Sequence, residues 1–169
     1  QIAAHVEAIM DAAWVDHGYT APNAAVYPWL WLWDSCFHAL IWHALGRNDR
    51  AIAELRSVLE TQDRAGFVPH MGYQLDPEAP VGFWGRAGAS SITQPPMYGH
   101  AIAQLLRAGV AVDDDAIERA ELGLRFLVED RRRDASGLIE VVHPWETGCD
   151  DSPRWDHYCP GTGFDLERW

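Results

Sequence analysis

What most constrains the fold of this chain is a repeat in its helix starts. Apolar helical stripes begin near residues 35, 94 and 152, roughly 57 to 59 residues apart, each after a loop rich in Pro, Gly and aromatics. The first, 35–45, carries Phe37, Leu40, Ile41, Ala44 and Leu45 and stops at Gly46. The second enters through Pro95 and Pro96, which suit a first helical turn, and runs through Ala101, Ile102, Leu105 and Leu106 to Gly109. The third enters through Pro153. Between these starts lie two more charged amphipathic segments. Residues 48–64, capped by Asn48, carry Ile52, Leu55, Val58 and Leu59. Residues 114–133 open on the capping-box pair Asp115 and Glu118. They end on Arg131, Arg132 and Arg133, read as a solvated helix end that complements the macrodipole. A further helix is expected over 2–16, ending at Gly18. The chain therefore reads as all-α, a curved or closed array of αα-hairpins with the apolar helices inside. Loops 18–34, 66–93 and 135–151 converge at one end, with Leu138–Val142 forming a small hairpin. No linker splits residues 1–169 into two domains.

Composition removes several function classes. The net charge is −12 and all 13 basic residues are arginine, so the surface repels phosphate backbones and nucleic acid is not an expected partner. No apolar run approaches the roughly 20 residues that span a bilayer, so no membrane partner is expected. Three cysteines, Cys36, Cys149 and Cys159, are few and odd in number, which fits a reducing compartment and a cytoplasmic location. No CxxC or HxxxH pair supports a metal site, and no cofactor is expected.

The excess of tryptophan, nine in all, points toward a ligand. Trp14 and Trp42 sit at helical spacing among aliphatics and read as core. Trp29, Trp31 and Trp33 alternate with Leu30 and Leu32 outside any helical pattern, and flat aromatic faces in a pocket suit neutral ligands such as sugars. Asp34, Gln94 and Asp150 each stand just before an inner helix, with Trp33, Trp145 and Trp155 nearby. Each has a structural alternative: Asp34 as a cap for a helix starting at Ser35, Gln94 as an ordinary loop amide. Asp151 is better placed than Asp150 to cap the helix entered through Pro153, which leaves Asp150 without a structural task.

Three blocks, YPWLWLWDSCF (27–37), SSITQPPMYGHA (90–101) and HPWETGCDDSPRWD (143–156), resemble, in order, motifs of the (α/α)6-barrel glycosidases of family 63. The nearest resemblance is to its bacterial glucosylglycerate and mannosylglycerate hydrolases. It implies an all-α (α/α)6 toroid and an inverting α-glycosidase with Asp150 as general acid. It also implies a sugar subsite formed by Tyr27, Trp31, Trp33, Asp34, Gln94 and Trp145, with His70 and Tyr98 as further candidates. Asp151 departs from the family's usual Asn and adds a negative charge beside the acid. An acid that works near neutrality needs a raised pKa. Trp145, Trp155, Glu146 and Asp151 are expected to raise it by desolvation and like charge, against the pull of the following helix N-terminus. Arg154 is expected to pair locally with an acid. The family's second catalytic residue, a glutamate general base, comes from a later block and has no match here. Glu146 is too near Asp150 in sequence to face it across a sugar at roughly 6.5–9.5 Å.

The chain thus reads as about the first half of the toroid, a single partial domain over 1–169. Its expected partners are a small carbohydrate and the remaining half of its own domain, and alone it is expected to be inactive and to expose apolar surface. Two other readings share the fold. One is a sugar epimerase using His38, His43, His70, His100 or His143; the other is a non-catalytic carbohydrate-binding toroid.

Overall fold

A computed structural model describes residues 1–150 and 152–156. The described helices are α1 (Ile2–Ala12), α2 (Leu32–Ala44), α3 (Asn48–Glu60), the short α4 (Val81–Trp84), α5 (Met97–Arg107) and α6 (Asp114–Arg125), with a wide turn at Phe126–Asp130. Two-residue strands pair β1 (Trp14–Val15) with β2 (Tyr19–Thr20), and β3 (Leu30–Trp31) with β4 (Met71–Gly72), both antiparallel.

The repeat is present as two hairpins, α2–α3 and α5–α6. Gly46 and Gly109 close them, both at φ +78°, a left-handed conformation that glycine adopts without a Cβ penalty. Helix α2 packs against both α3 and α5, and α3 against α6. The core runs along these contacts, with Leu32, Ala39 and Trp42 of α2, Leu55 and Val58 of α3, and Ala101 and Leu105 of α5 all but inaccessible to solvent. Phe37 and Ile41 on α2, Leu106 on α5, and Ile2 and Ile9 on α1 remain exposed.

Several boundaries differ from expectation, each for a tertiary reason. The first helix ends at Ala12, because Trp14–Val15 turn back through Gly18 to pair with Tyr19–Thr20. Helix α2 begins at Leu32, three residues early. Trp31 is extended in β3, the Leu32 N–H donates to the His70 carbonyl at 2.9 Å, and the Trp33 N–H donates to Gln94 Oε1 at 3.3 Å. These acceptors from distant loops satisfy first-turn N–H groups that no local cap serves. Asn48 lies inside α3 and its side chain meets His43 Nδ1 at 2.8 Å instead of capping.

The cap of α6 is Asp113, whose Oδ1 accepts the Ala116 N–H at 3.0 Å, while Asp115 pairs with Arg119 at 2.7 Å. The other Asp113 oxygen takes the Arg56 guanidinium at 2.9 Å, tying α6 to α3. Asp113→Ala should cost about 1 kcal/mol, mostly the lost cap, since exposed ion pairs add little. The shift in urea midpoint checks it.

The arginine run is solvated at Arg132 and Arg133, as expected, but Arg131 is drawn inward. Arg131 pairs with buried Glu146, Arg132 pairs with Glu140, and Arg133 donates to the carbonyls of Val128 and Gly137. The small hairpin is reduced to one bridge, Arg133 to Ile139, around a turn in which Asp134 Oδ1 accepts the Ser136 and Leu138 N–H groups. Pro153–Trp155 form a single 3-10 turn; the continuation of that helix, Asp151 and Cys159 lie outside the described residues.

Candidate active site

The three loops meet, and backbone pairing explains how. Leu30 and Trp31 bond to Gly72 and Met71, joining the first loop to the second. The Thr93 N–H donates to Glu146 at 3.2 Å, joining the second to the third. A cleft of about 290 Å³ opens at this junction, lined by Pro22, Tyr27, Trp31, Trp33, Asp34, Gln94, Gly148 and Asp150. Its size sits at the small end of ligand pockets, in keeping with one sugar ring.

Six of the sequence candidates come together here: Tyr27, Trp31, Trp33, Asp34, Gln94 and Asp150. Tyr27 is half exposed and meets the Trp31 ring edge-on at 5.8 Å between centroids. The Trp31 indole nitrogen is buried away from solvent and has no acceptor among the described residues. Gln94 spends its carbonyl oxygen on the Trp33 N–H and keeps its amide NH₂ as a donor. Asp34 sits in the first turn of α2, not ahead of it. Burial raises its pKa, opposed by hydrogen bonds from its own backbone N–H and from Trp33, and the Asp150 charge adds to the rise.

Asp150 follows the 3-10 turn Pro144–Thr147 and is exposed, so the described residues do not dry it as the aromatic composition of its loop had implied. Trp155 acts on that loop through hydrogen bonding, its indole N–H donating to the Cys149 carbonyl at 2.7 Å. Arg154 donates to Ser152 Oγ at 3.0 Å and lies over the Trp155 ring; Asp151, an acid of the same motif, lies outside the described residues. Glu146 adds no uncompensated charge near Asp150, because it is paired with Arg131.

Three other candidates stand away from the cleft lining. His70 is fully buried in an aromatic block, with ring contacts to Trp31, Trp84 and Trp145. Burial, then the charge of His143, lowers its pKa to about 3 against a hydrogen bond with the Ile92 backbone, so it is neutral. Its Nδ1 contacts Ser90 Oγ at 2.6 Å, which fixes the ring behind Trp31. Tyr98 is buried between α5 and α6, where a Cβ at Gly123 would come within 2.7 Å of its hydroxyl. Trp145 packs on the cluster of Met71, Tyr73, Trp84 and Ile92. Trp29 joins the same cluster, 4.9 Å from Tyr73. None of His38, His43, His70, His100 and His143 lines the cleft. Among the described residues no three His, Cys, Asp or Glu side chains form a group able to hold a metal, and no helix is long and apolar enough to cross a membrane.

Sequence reasoning missed Pro22 and Gly148 as cleft residues. Gly148 is at φ +66°, and a Cβ there would lie 2.1 Å from the Trp33 indole. The loop carrying Asp150 therefore rests directly on Trp33, a contact only glycine permits. Gly148→Ala should displace one or the other and so move Asp150 relative to Trp33. A Trp33 fluorescence shift is expected to accompany it. The glycine two residues before Asp150 in HPWETGCD was the available signal.

Residues 27–162 match the mannosylglycerate hydrolase MGH1-like glycoside hydrolase domain. The chain belongs to that family. It is 30% identical over 92% of its length to a mannosylglycerate hydrolase of Rubrobacter radiotolerans, and 33% identical over 81% to a glucosylglycerate hydrolase of Mycolicibacterium hassiacum. It covers 39% and 36% of those relatives, so it spans less than half their length. The crystal structure of the GH63 mannosylglycerate hydrolase from Thermus thermophilus with Tris and D-glycerate superposes with a TM-score of 0.75 at 28% identity, over 99% of this chain and 44% of that one. The hairpin array is accordingly a partial (α/α)6 toroid.

Proposed function

We propose that the complete protein is an inverting α-glycosidase that hydrolyses a small α-mannoside or α-glucoside of glycerate, with Asp150 as general acid. The observation that carries this is the convergence of Asp34, Gln94 and Asp150 with Tyr27, Trp31 and Trp33 around one cleft, from three blocks distant in sequence. Aromatic faces stack on the sugar ring. The Asp34 carboxylate and the Gln94 amide take its hydroxyls. Asp150 delivers its proton to the glycosidic oxygen as the C1–O bond breaks. Water attacks C1 from the opposite face and gives its proton to a carboxylate that these residues do not supply. His70 and Trp145 support the wall behind Trp31, and Tyr98 supports the seat of α5. The substrate class rests on the relatives named as mannosylglycerate and glucosylglycerate hydrolases.

The test is NMR of the complete protein with mannosylglycerate and with glucosylglycerate. Release of the β-anomer before mutarotation is the expected result. Initial release of the α-anomer would overturn the inverting mechanism, and no release from either would overturn the assignment as a glycosidase of this class.

A further inference from the structure

The junction between the second and third loops is built on one carboxylate that does not reach the cleft. Glu146 is 7% exposed. Its Oε1 accepts the Thr93 N–H at 3.2 Å; its Oε2 accepts the Val142 N–H at 2.9 Å and the Arg131 guanidinium. Arg131 also donates to the Glu140 carbonyl at 3.4 Å. Three segments thus end on one side chain: the loop entering α5, the wide turn after α6, and the acid loop itself. Thr93 adjoins Gln94, and Glu146 lies in the 3-10 turn that leads to Asp150. A buried carboxylate is tolerable only when paired and fully hydrogen-bonded, and here guanidinium and two backbone donors meet that need.

We infer that Glu146, held by Arg131, is a positioning residue that sets Asp150 relative to the sugar gripped at Gln94. This rests on the glycosidase reading above. Glu146→Gln replaces one acceptor oxygen with an NH₂ group, which must face one of three donors. The clamp opens, the two loops separate, and proton delivery to the leaving oxygen fails while the sugar subsite remains.

The test compares leaving groups on the complete protein. A glycerate glycoside needs its leaving oxygen protonated; the matching α-glycosyl fluoride does not, because fluoride departs as an anion. For Glu146→Gln, kcat on the glycoside should fall about tenfold or more beyond any fall on the fluoride. Equal losses on both substrates would mean fewer folded molecules and nothing more, and would overturn the inference, as would no loss at all. Arg131→Lys, which keeps the charge but not the forked geometry, should show the same leaving-group signature at smaller size. It decides the matter if Glu146→Gln does not fold, and equal losses in it overturn the inference. A wild type inactive on both substrates would instead refute the glycosidase reading itself.

Discussion

Asp150→Asn in the complete protein should lower kcat on the proposed glycerate glycoside on the order of 10²- to 10⁴-fold while sugar binding, followed calorimetrically, stays within a few-fold of wild type. The amide keeps the shape of the side chain and its place in the cleft beside Asp34. It cannot deliver a proton to the departing oxygen. Tyr27, Trp31, Trp33 and Gln94 are untouched, so the contacts that hold the ring survive. The pH profile supplies a second readout. An acid works only when protonated, so wild-type kcat should fall on the alkaline side, and that limb should vanish in the variant. A variant that retains activity on the glycoside would remove Asp150 from the chemistry. One that loses binding and activity together would make it a ligand for the sugar and no acid.

Glu54→Gln should raise stability at alkaline pH and leave it nearly unchanged near pH 5. Glu54 on α3 is inaccessible to solvent, and its Oε1 accepts the Thr20 N–H at 2.8 Å. Thr20 Oγ1 in turn accepts the Trp42 indole N–H at 3.0 Å. Desolvation raises the Glu54 pKa to about 8, opposed by these hydrogen bonds. His38 Nδ1 lies 4.0 Å away, within nominal ion-pair range, yet burial lowers the His38 pKa to about 4. At that separation in a dry core, a neutral carboxyl beside a neutral imidazole costs less than two buried ions.

The sign of the effect follows from proton counting. From about pH 4.5 to about pH 8 the folded state keeps a proton on Glu54 that the unfolded chain has released, so stability falls as pH rises, by roughly a kcal/mol per unit, and levels off above 8. His38 acts oppositely between about pH 4 and 6.5, in wild type and variant alike. Glutamine mimics the protonated carboxyl and has no proton to lose. The difference in urea midpoint between variant and wild type should therefore open from near zero at pH 5 to the equivalent of several kcal/mol above pH 8. A constant difference across that range would mean that Glu54 is ionised throughout.

The two predictions draw on different kinds of legibility. Asp150 stands out in HPWETGCDDSPRWD because the whole motif is contiguous, and the same holds for the Trp31–Asp34 and Gln94 blocks. Glu54 does not. In sequence it is one more charged position on an amphipathic helix, and only the packing of α3 on α2 and β2 shows that it faces inward. Arg131 likewise reads as part of a solvated run until the loop carrying Asp150 folds over it. His70 and Tyr98 lie in or beside recognisable blocks, yet whether such a side chain reaches a cleft or the wall behind it depends on neighbours the blocks do not contain.

The sequence by itself determined the hairpin repeat, the alternation of apolar and charged helices and the convergence of three loops, and it offered nine candidate site residues, of which six line the cleft. These are carried by periodicity, by glycine stops and by short contiguous motifs, all of which act within a few residues. Tertiary structure decided where α2 begins, which carboxylates are buried, and how Gln94 and Asp150 are brought to one place. Each of these turns on a donor and an acceptor far apart in the chain: the Leu32 N–H on the His70 carbonyl, the Trp33 N–H on Gln94, the Thr93 N–H on Glu146. A polar group leaving water must find a partner, and which partner it finds is a property of the folded chain.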